Sequence, residues 1–407
     1  MPRAGDGLTE ARFDVARTRV GILTALPEEY VAVRSLMHSV IDLPVRQDPH
    51  QYCSGWFHSK DSQQPHHVVL ALQALDGTRF AATACTDMLR SFPGIQVVVM
   101  CGIAGGVPAP GDPRRDVRLG DVVVATDGIV DYDHVRLVDG TAEQRRTAHG
   151  ISRALAGADR RLQTLEIEGV EPWLDLVDAA AVGNPRFRRP LPETDPLHRA
   201  STADGTPAAR PRPRTWRGTI GSADTLLRDA RFRDDLAARY RLLAVEMEGA
   251  GVAAAAGARD LHWFQVRGIC DYCDNATKND VWHHYAALVA AGYTAGLLAE
   301  CPPFRSEHSG EVPVDDLQAV VESLLALPQV GDDHQRRAIL SYLPGDIRYA
   351  VPDSVIARIH VVGLVRTCER TPGGRNALLD ALRLALGGSS PDYRRIEELF
   401  DVHWSEF

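Results

Sequence analysis

Short apolar runs alternate along the first three quarters of the chain with segments whose apolar residues recur at helical spacing. Val20 to Leu26, Val68 to Leu75, Val97 to Cys101, Val122 to Ala125 and Trp263 to Ile269 predict strands buried on both faces. Thr78 to Phe92, Ser152 to Glu168, Ser222 to Tyr240 and Asp280 to Glu300 predict the intervening helices. This alternation predicts an α/β domain over residues 1–300, a parallel or mixed sheet flanked by helices. A stretch rich in proline and arginine, Arg188 to Arg217, breaks the pattern and offers little to bury, so a surface insertion is expected there.

The pattern then changes. Cys301-Pro302-Pro303 stops the last helix, and the mixed polar residues through Pro313 predict a linker over 301–313. From 314 to 407 every segment has helical period: Leu317 to Leu325, Ala338 to Leu343, then Val355, Ile359, Val362 and Val365, then Leu378 to Leu386. Ile396, Leu399 and Phe400 add a fifth helix, which Ser390-Pro391 can open as N-cap and first helical residue. A C-terminal all-α helical bundle is expected. It is mildly acidic and has no cluster of catalytic residue types, so it reads as a module that binds a protein partner.

Composition narrows the function classes. With 44% hydrophobic and 24% charged residues the chain can bury a full core. A net charge of -9 and the lack of any long run of like charge disfavour nucleic acid as partner, since little would neutralise a phosphate backbone. No apolar run approaches the roughly 18 residues of a membrane span, and Met1 to Val20 lacks the apolar core of a signal peptide, so no membrane and a cytoplasmic location are expected. Seven cysteines, an odd number, fit free thiols. Cys270 and Cys273 have half-zinc-site spacing but no second pair, so neither metal nor cofactor is expected.

Four separated segments carry candidate chemistry: Val20 to Glu29, Cys101 to Gly106, Val245 to Gly249 and Val266 to Asp271. Each follows or ends an expected strand, where α/β folds gather ligands. Gly102, Gly105 and Gly106 permit either a close approach to a ligand or simply a tight turn. If Val245 to Gly249 is extended, Glu246 and Glu248 face one side and Met247 the other. Carboxylates in such apolar surroundings need partners, and ribose hydroxyls or a buried arginine would serve. Asp271 is either a partly buried acid or a cap for a helix starting near Asn279.

In this order the four segments resemble the nucleoside phosphorylase superfamily, and within it the methylthioadenosine/S-adenosylhomocysteine nucleosidases, over roughly Arg19 to Glu300. The resemblance implies that Glu29 activates water, that Arg267 orients Glu29 and the water, and that Asp271 protonates the purine at N7. It implies that Glu248 grips the ribose hydroxyls with Met247 against the sugar, and that Glu246, Gly102, Ala104, Gly105, Leu226 and Leu227 help to line the substrate site. The implied reaction is release of a purine from a nucleoside or nucleotide. As the C1′–N9 bond breaks, the sugar becomes oxocarbenium-like and the base leaves as an anion, which an acid neutralises.

A carboxylate at position 29, where phosphorylases of the superfamily carry a phosphate loop, favours hydrolysis over phosphorolysis. Aspartate at 271, where 6-oxopurine enzymes typically carry asparagine, favours adenine. Two features depart from the nucleosidases: Leu226 stands where they place a stacking phenylalanine, and Gly111 to Arg118 is a longer turn. Arg114 and Arg115 in it are either solvated or hold substrate phosphates. The last hundred residues resemble an effector-associated domain, a death-fold-like adaptor of bacterial conflict systems, on Leu324 to Pro328, Arg336 to Leu340 and His360 to Cys368 with Pro372-Gly373-Gly374. That implies a regulated effector, expected to be a homo-oligomer. The alternatives are a nucleotide sensor without turnover and a phosphate-dependent phosphorylase.

Overall fold

A computed structural model describes residues 17–45, 48–139, 141–144, 147–148, 150–198, 212–304, 314–371 and 373–404. The chain divides into two compact units, 1–304 and 305–407.

In the first unit the strands are β1 (Val20–Thr24), β2 (His38–Leu43), β3 (Gln51–Phe57), β4 (His66–Leu72), β5 (Val97–Gly106), β6 (Val122–Val124) and β7 (Ile129–Asp131). They continue with β8 (Val135–Val138), β9 (Thr141–Gln144), β10 (Thr147–Ala148), β11 (Thr215–Arg217), β12 (Thr219–Ser222), β13 (Leu242–Glu246) and β14 (His262–Asp271). The helices are α1 (Pro27–Leu36), α2 (Thr78–Ser91), α3 (Arg153–Ile167), α4 (Pro172–Gly183), α5 (Ala230–Tyr240), α6 (Gly249–Gly257) and α7 (His283–Glu300).

One mixed sheet runs β10-β7-β12-β13-β5-β1-β4-β3-β2. β14 joins it by pairing parallel to β5 along its length and antiparallel to β6. β5 is the axis of the unit: all ten of its residues are buried, and it pairs with β1, β13 and β14. An unbroken apolar run suits such a strand because both of its faces are covered. Helix α7 packs on β14 and β5, and its Ala- and Leu-rich sequence is buried almost all round.

Several expected elements end differently from their apolar runs. β1 stops at Thr24 because Pro27 takes the first position of α1, a helix absent from the sequence reading. Of the two alternatives for Cys101 to Gly106 the tight turn does not occur: β5 continues through Gly106, and none of Gly102, Gly105 and Gly106 has a positive φ. The expected helix Ser222 to Tyr240 begins only at Ala230, where the Asp229 carboxylate accepts from the amides of Arg231 and Phe232. Ser222 itself ends β12. Part of the expected insertion, 199–211, lies outside the described residues, but its C-terminal flank is strand β11, parallel to β6. There Arg217 pairs with Asp159 and Glu166, each at 2.9 Å, so it is a fixed part of the unit.

The second unit contains α8 (Val314–Leu325), α9 (Pro328–Gly331), α10 (Asp333–Ser341), α11 (Gly345–Ala350), α12 (Ala357–Arg370), α13 (Gly374–Leu386) and α14 (Pro391–His403). Its core joins Val320, Leu324, Ile339, Val361, Val365, Leu378, Leu382, Ile396 and Phe400. The Ser390 hydroxyl accepts from the Tyr393 amide and Pro391 opens α14, as the sequence implies. The face expected from Val355, Ile359 and Val362 is corrected. α12 starts at Ala357, and its i, i+3, i+4 stripe of Val361, Leu364, Val365 and Cys368 faces inward, which leaves those three exposed.

Candidate functional site

β1, β5, β13 and β14 end together, and their C-terminal residues surround one open cavity of about 720 Å³, mouth included. Its lining includes Glu29, Ala104, Gly105, Leu226, Leu227, Glu246, Met247, Glu248 and Asp271, so nearly every residue expected at the site borders one space. Of the others, Arg267 and Gly102 lie behind the wall, packed against Glu29.

Glu29 owes its position to α1. As the third helical residue it folds back, and its Oε2 accepts from the amides of Ala25 at 2.7 Å and Leu26 at 2.9 Å, the carboxylate half of a capping box. Oε1 accepts from the Ile103 amide of β5 at 2.7 Å. A carboxylate oxygen has two acceptor positions, so Oε1 keeps one for a further donor such as water. Burial raises the Glu29 pKa, against the pull of Arg267 and of these three amides.

Arg267, wholly buried in β14, organises the acidic wall. Its Nη2 donates to Glu246 Oε2 and, at 3.1 Å, to Glu248 Oε2, while Nη1 donates to the Ile103 carbonyl at 3.2 Å and lies 4.0 Å from Glu29 Oε1. Its Nε is buried without a hydrogen-bond partner. Burial alone would lower the arginine's pKa, but Glu246, Glu248 and Glu29 raise it, so it stays charged. One cation cannot neutralise three carboxylates. Burial accordingly lifts Glu248 to about 7, opposed by Arg267 and reinforced by Glu246 and Glu29.

The expected extended Glu246-Met247-Glu248 does not form. β13 ends at Glu246, whose carboxylate turns back to accept from the amides of Glu248 and Gly249 and so caps α6. Both carboxylates still reach Arg267, the buried-arginine alternative, while Glu248 and Met247 also face the cavity. The glycines serve by lacking a side chain. A Cβ at Gly102 would fall 2.5 Å from both Arg267 Nη1 and Glu29 Oε1, and one at Gly105 would fall 2.1 Å from Cys273 Sγ and 2.9 Å from Asp271 Oδ1.

Asp271, at the end of β14, accepts from the Cys273 amide at 2.8 Å across a tight turn in which Cys273 has φ 51°. It does not cap the next helix, which starts at His283. Lys278 Nζ stands 3.8 Å from Asp271 Oδ2. Lys278, His283, Thr225 and Asp76 line the cavity without having been anticipated; the one signal for Lys278 is that the sequence has a single other lysine, Lys60. Leu226 is 54% exposed at the rim, and among the described residues no phenylalanine, tyrosine or tryptophan lines the cavity; its one ring is the imidazole of His283. Arg114 and Arg115 are exposed and do not reach the lining. The thiol of Cys270, pushed well above its ordinary range by burial, has donor atoms of Asp271 and His283 within 4.8 Å.

Comparison with known proteins follows the same division. The phosphorylase superfamily profile matches residues 19–298, and that of effector-associated domain 2 matches 321–401. A nucleotide-binding leucine-rich repeat (NLR)-like protein of Hyaloscypha variabilis is 29% identical over 309 residues, 70% of this chain. The chain spans only 29% of that relative's length. The 5′-methylthioadenosine/S-adenosylhomocysteine nucleosidase of Mycobacterium bovis is 27% identical over 286 residues, 70% of this chain and 96% of the relative. Among solved structures, the S-adenosylhomocysteine nucleosidase of Streptococcus pyogenes covers 70% of this chain and 98% of its own at 20% identity, with a TM-score of 0.49. No described helix is long and apolar enough to cross a membrane.

Proposed function

This chain belongs to the phosphorylase superfamily and carries an effector-associated domain 2, and on that premise we propose that its first unit hydrolyses the N-glycosidic bond of an adenine nucleoside or nucleotide. The observation that carries the reading is that Glu29 and Asp271 line one cavity, with Arg267 of β14 behind it holding Glu248. In this reading a water held at the remaining acceptor position of Glu29 Oε1 attacks C1′ and gives its proton to Glu29. The C1′–N9 bond breaks, its electron pair stays on the base, and Asp271 delivers a proton to N7. Glu248 grips the ribose hydroxyls, and Arg267 holds the acidic wall in place. Met247 supplies apolar contact to the sugar, with Leu226 and Leu227 toward the base.

Hydrolysis is favoured over phosphorolysis because the side chain nearest the nucleophile's place is a buried carboxylate, which repels phosphate. The second unit is proposed to bind a protein partner and so regulate the enzyme, which would make the chain an effector in bacterial defence. The effector-associated match supports this reading. The test is to incubate the purified chain with adenosine, methylthioadenosine, ATP and NAD, with and without phosphate, and to measure free base. Adenine released at a rate independent of phosphate supports hydrolysis. Ribose 1-phosphate in proportion to phosphate makes the unit a phosphorylase, and tight binding without release makes it a sensor.

A further inference from the structure

Away from the cavity, three side chains meet where the segment leading into β3 lies on α2. Asp48, His50 and Asp87 each place a ligand atom within 4.8 Å of the other two. The His50 side chain is 4% exposed and neither ring nitrogen makes a hydrogen bond. Its Nε2 lies 3.5 Å from Asp87 Oδ2. A buried imidazole without hydrogen-bond partners is costly and calls for an explanation, an unseen ion among them.

The carboxylates around it are held in place. Asp48, whose side chain has no exposed surface, accepts from the His50 amide at 3.0 Å, from the Tyr52 hydroxyl at 3.0 Å and from the Ser91 hydroxyl at 3.2 Å. Asp87 Oδ1 pairs with Arg90 Nη1 at 2.9 Å, which leaves Oδ2 toward His50.

We propose that Asp48, His50 and Asp87 form a site for one divalent transition cation, zinc by preference, which clamps the segment entering β3 onto α2. One imidazole with two carboxylates is a donor set that zinc accepts, with water completing the coordination, whereas magnesium and calcium prefer oxygen alone. Small side-chain movements bring donors at these spacings to the roughly 2.0–2.2 Å of zinc ligation. Arg90 is the competing charge: it pairs with Asp87 Oδ1 and lies 3.8 Å from Asp48 Oδ2, and a bound cation has to displace its 58% exposed side chain toward solvent. The other grouping, Cys270, Asp271 and His283, has the Lys278 ammonium 3.8 Å from Asp271, which repels a cation.

The test uses the full-length chain, stripped with EDTA and titrated calorimetrically with zinc chloride and, separately, magnesium chloride. Zinc retained after gel filtration is measured alongside. One equivalent of zinc and no magnesium is expected, with zinc affinity at least tenfold weaker in Asp87→Asn and in His50→Gln. Zinc should raise the unfolding temperature of the parent chain and of neither variant. Circular dichroism of both variants shows whether each still folds, and Asp87→Asn, nearly isosteric, keeps the test open if the His50 variant misfolds. Failure of the parent chain to retain zinc overturns the proposal. So does zinc binding that persists in both variants but is lost in Cys270→Ser, which would put the ion in the cavity.

Discussion

Glu29 has two roles that one position satisfies: it caps the helix that starts after Pro27, and it faces the cavity. Its three amide donors fix the carboxylate without exhausting its acceptor capacity. Glu29→Gln is nearly isosteric and keeps one oxygen for the Ala25 and Leu26 amides while giving up the bond from Ile103, so it should still fold, at some cost in stability, and lose base release by on the order of a hundredfold or more. Asp271→Asn should lose a similar factor because it cannot deliver a proton. Near-parental turnover in either variant, measured as adenine release, would remove the nucleosidase reading. Glu248 allows a test by pH. Burial raises its pKa from 4.5 to about 7, so the folded state binds this proton more tightly than the unfolded chain does. Its contribution to stability is therefore complete below about pH 4.5 and is lost as the pH rises toward 7. Glu248→Gln should release base at least tenfold more slowly, while its unfolding temperature relative to the parent climbs between pH 5 and pH 8. A gap that does not change with pH would mean that Glu248 titrates as an ordinary carboxyl.

At the level of elements, what the sequence made legible was what depends on local pattern. The apolar runs marked β1, β4, β5, β6 and β14 because strands buried on both faces are mostly apolar, and the polar residues inside β14, Gln265 and Arg267, are too few to hide its run. Short strands such as β7, β11 and β12 were not visible, since their three or four residues carry too little period to detect and, unlike the valines of β6, include polar ones. The glycines of β5 were found by type, with a close approach to a ligand and a tight turn both left open, and the turn does not form. What requires them is the approach of Arg267, Glu29, Cys273 and Asp271, a tertiary fact that no local window contains. Similarly, Lys278 and Asp76 reach the cavity through folding alone. The glycine reading gives an expectation of its own. Gly102→Ala would press a methyl group onto Arg267 and Glu29, both buried and hydrogen-bonded, at a cost of about 1–3 kcal/mol typical of overpacking. Activity should fall further than stability, because the groups displaced are those placed at the cavity. Gly157→Ala is the control, with nothing within 4 Å of the added carbon. Equal effects at both positions, read by thermal unfolding and base release, would contradict the packing argument.

Across the whole molecule, the two units should respond to acid in opposite directions, and this tests whether they unfold separately. In the second unit His360 is buried between α10 and α12, and its Nδ1 accepts from Arg336 Nε at 3.1 Å. Arg336 is itself buried and held by the Val330 carbonyl at 2.8 Å and by Asp333 at 2.6 Å, so it cannot retreat. Burial first, and then the Arg336 charge, lower the His360 pKa below 6.5, partly offset by Asp353 and Asp333. A histidine kept neutral in the fold contributes stability that is present above pH 6.5 and is lost as the pH falls, because the unfolded chain takes up the proton and the folded chain does not. The first unit gains from Glu248 as the pH drops from 7 toward 4.5. Calorimetry of the full chain at pH 8 and pH 6 should therefore show two transitions, that of the second unit moving down in acid relative to that of the first. His360→Gln should remove most of the downward shift while leaving the other transition in place. A chain truncated after Phe304 should keep the first transition and its base-releasing activity. A single transition at both pH values, or unfolding of the truncated chain, would mean that the two compact units are one cooperative body. Regulation through the second unit would then require a change transmitted to the cavity, where separate units would be coupled by recruitment or clustering alone.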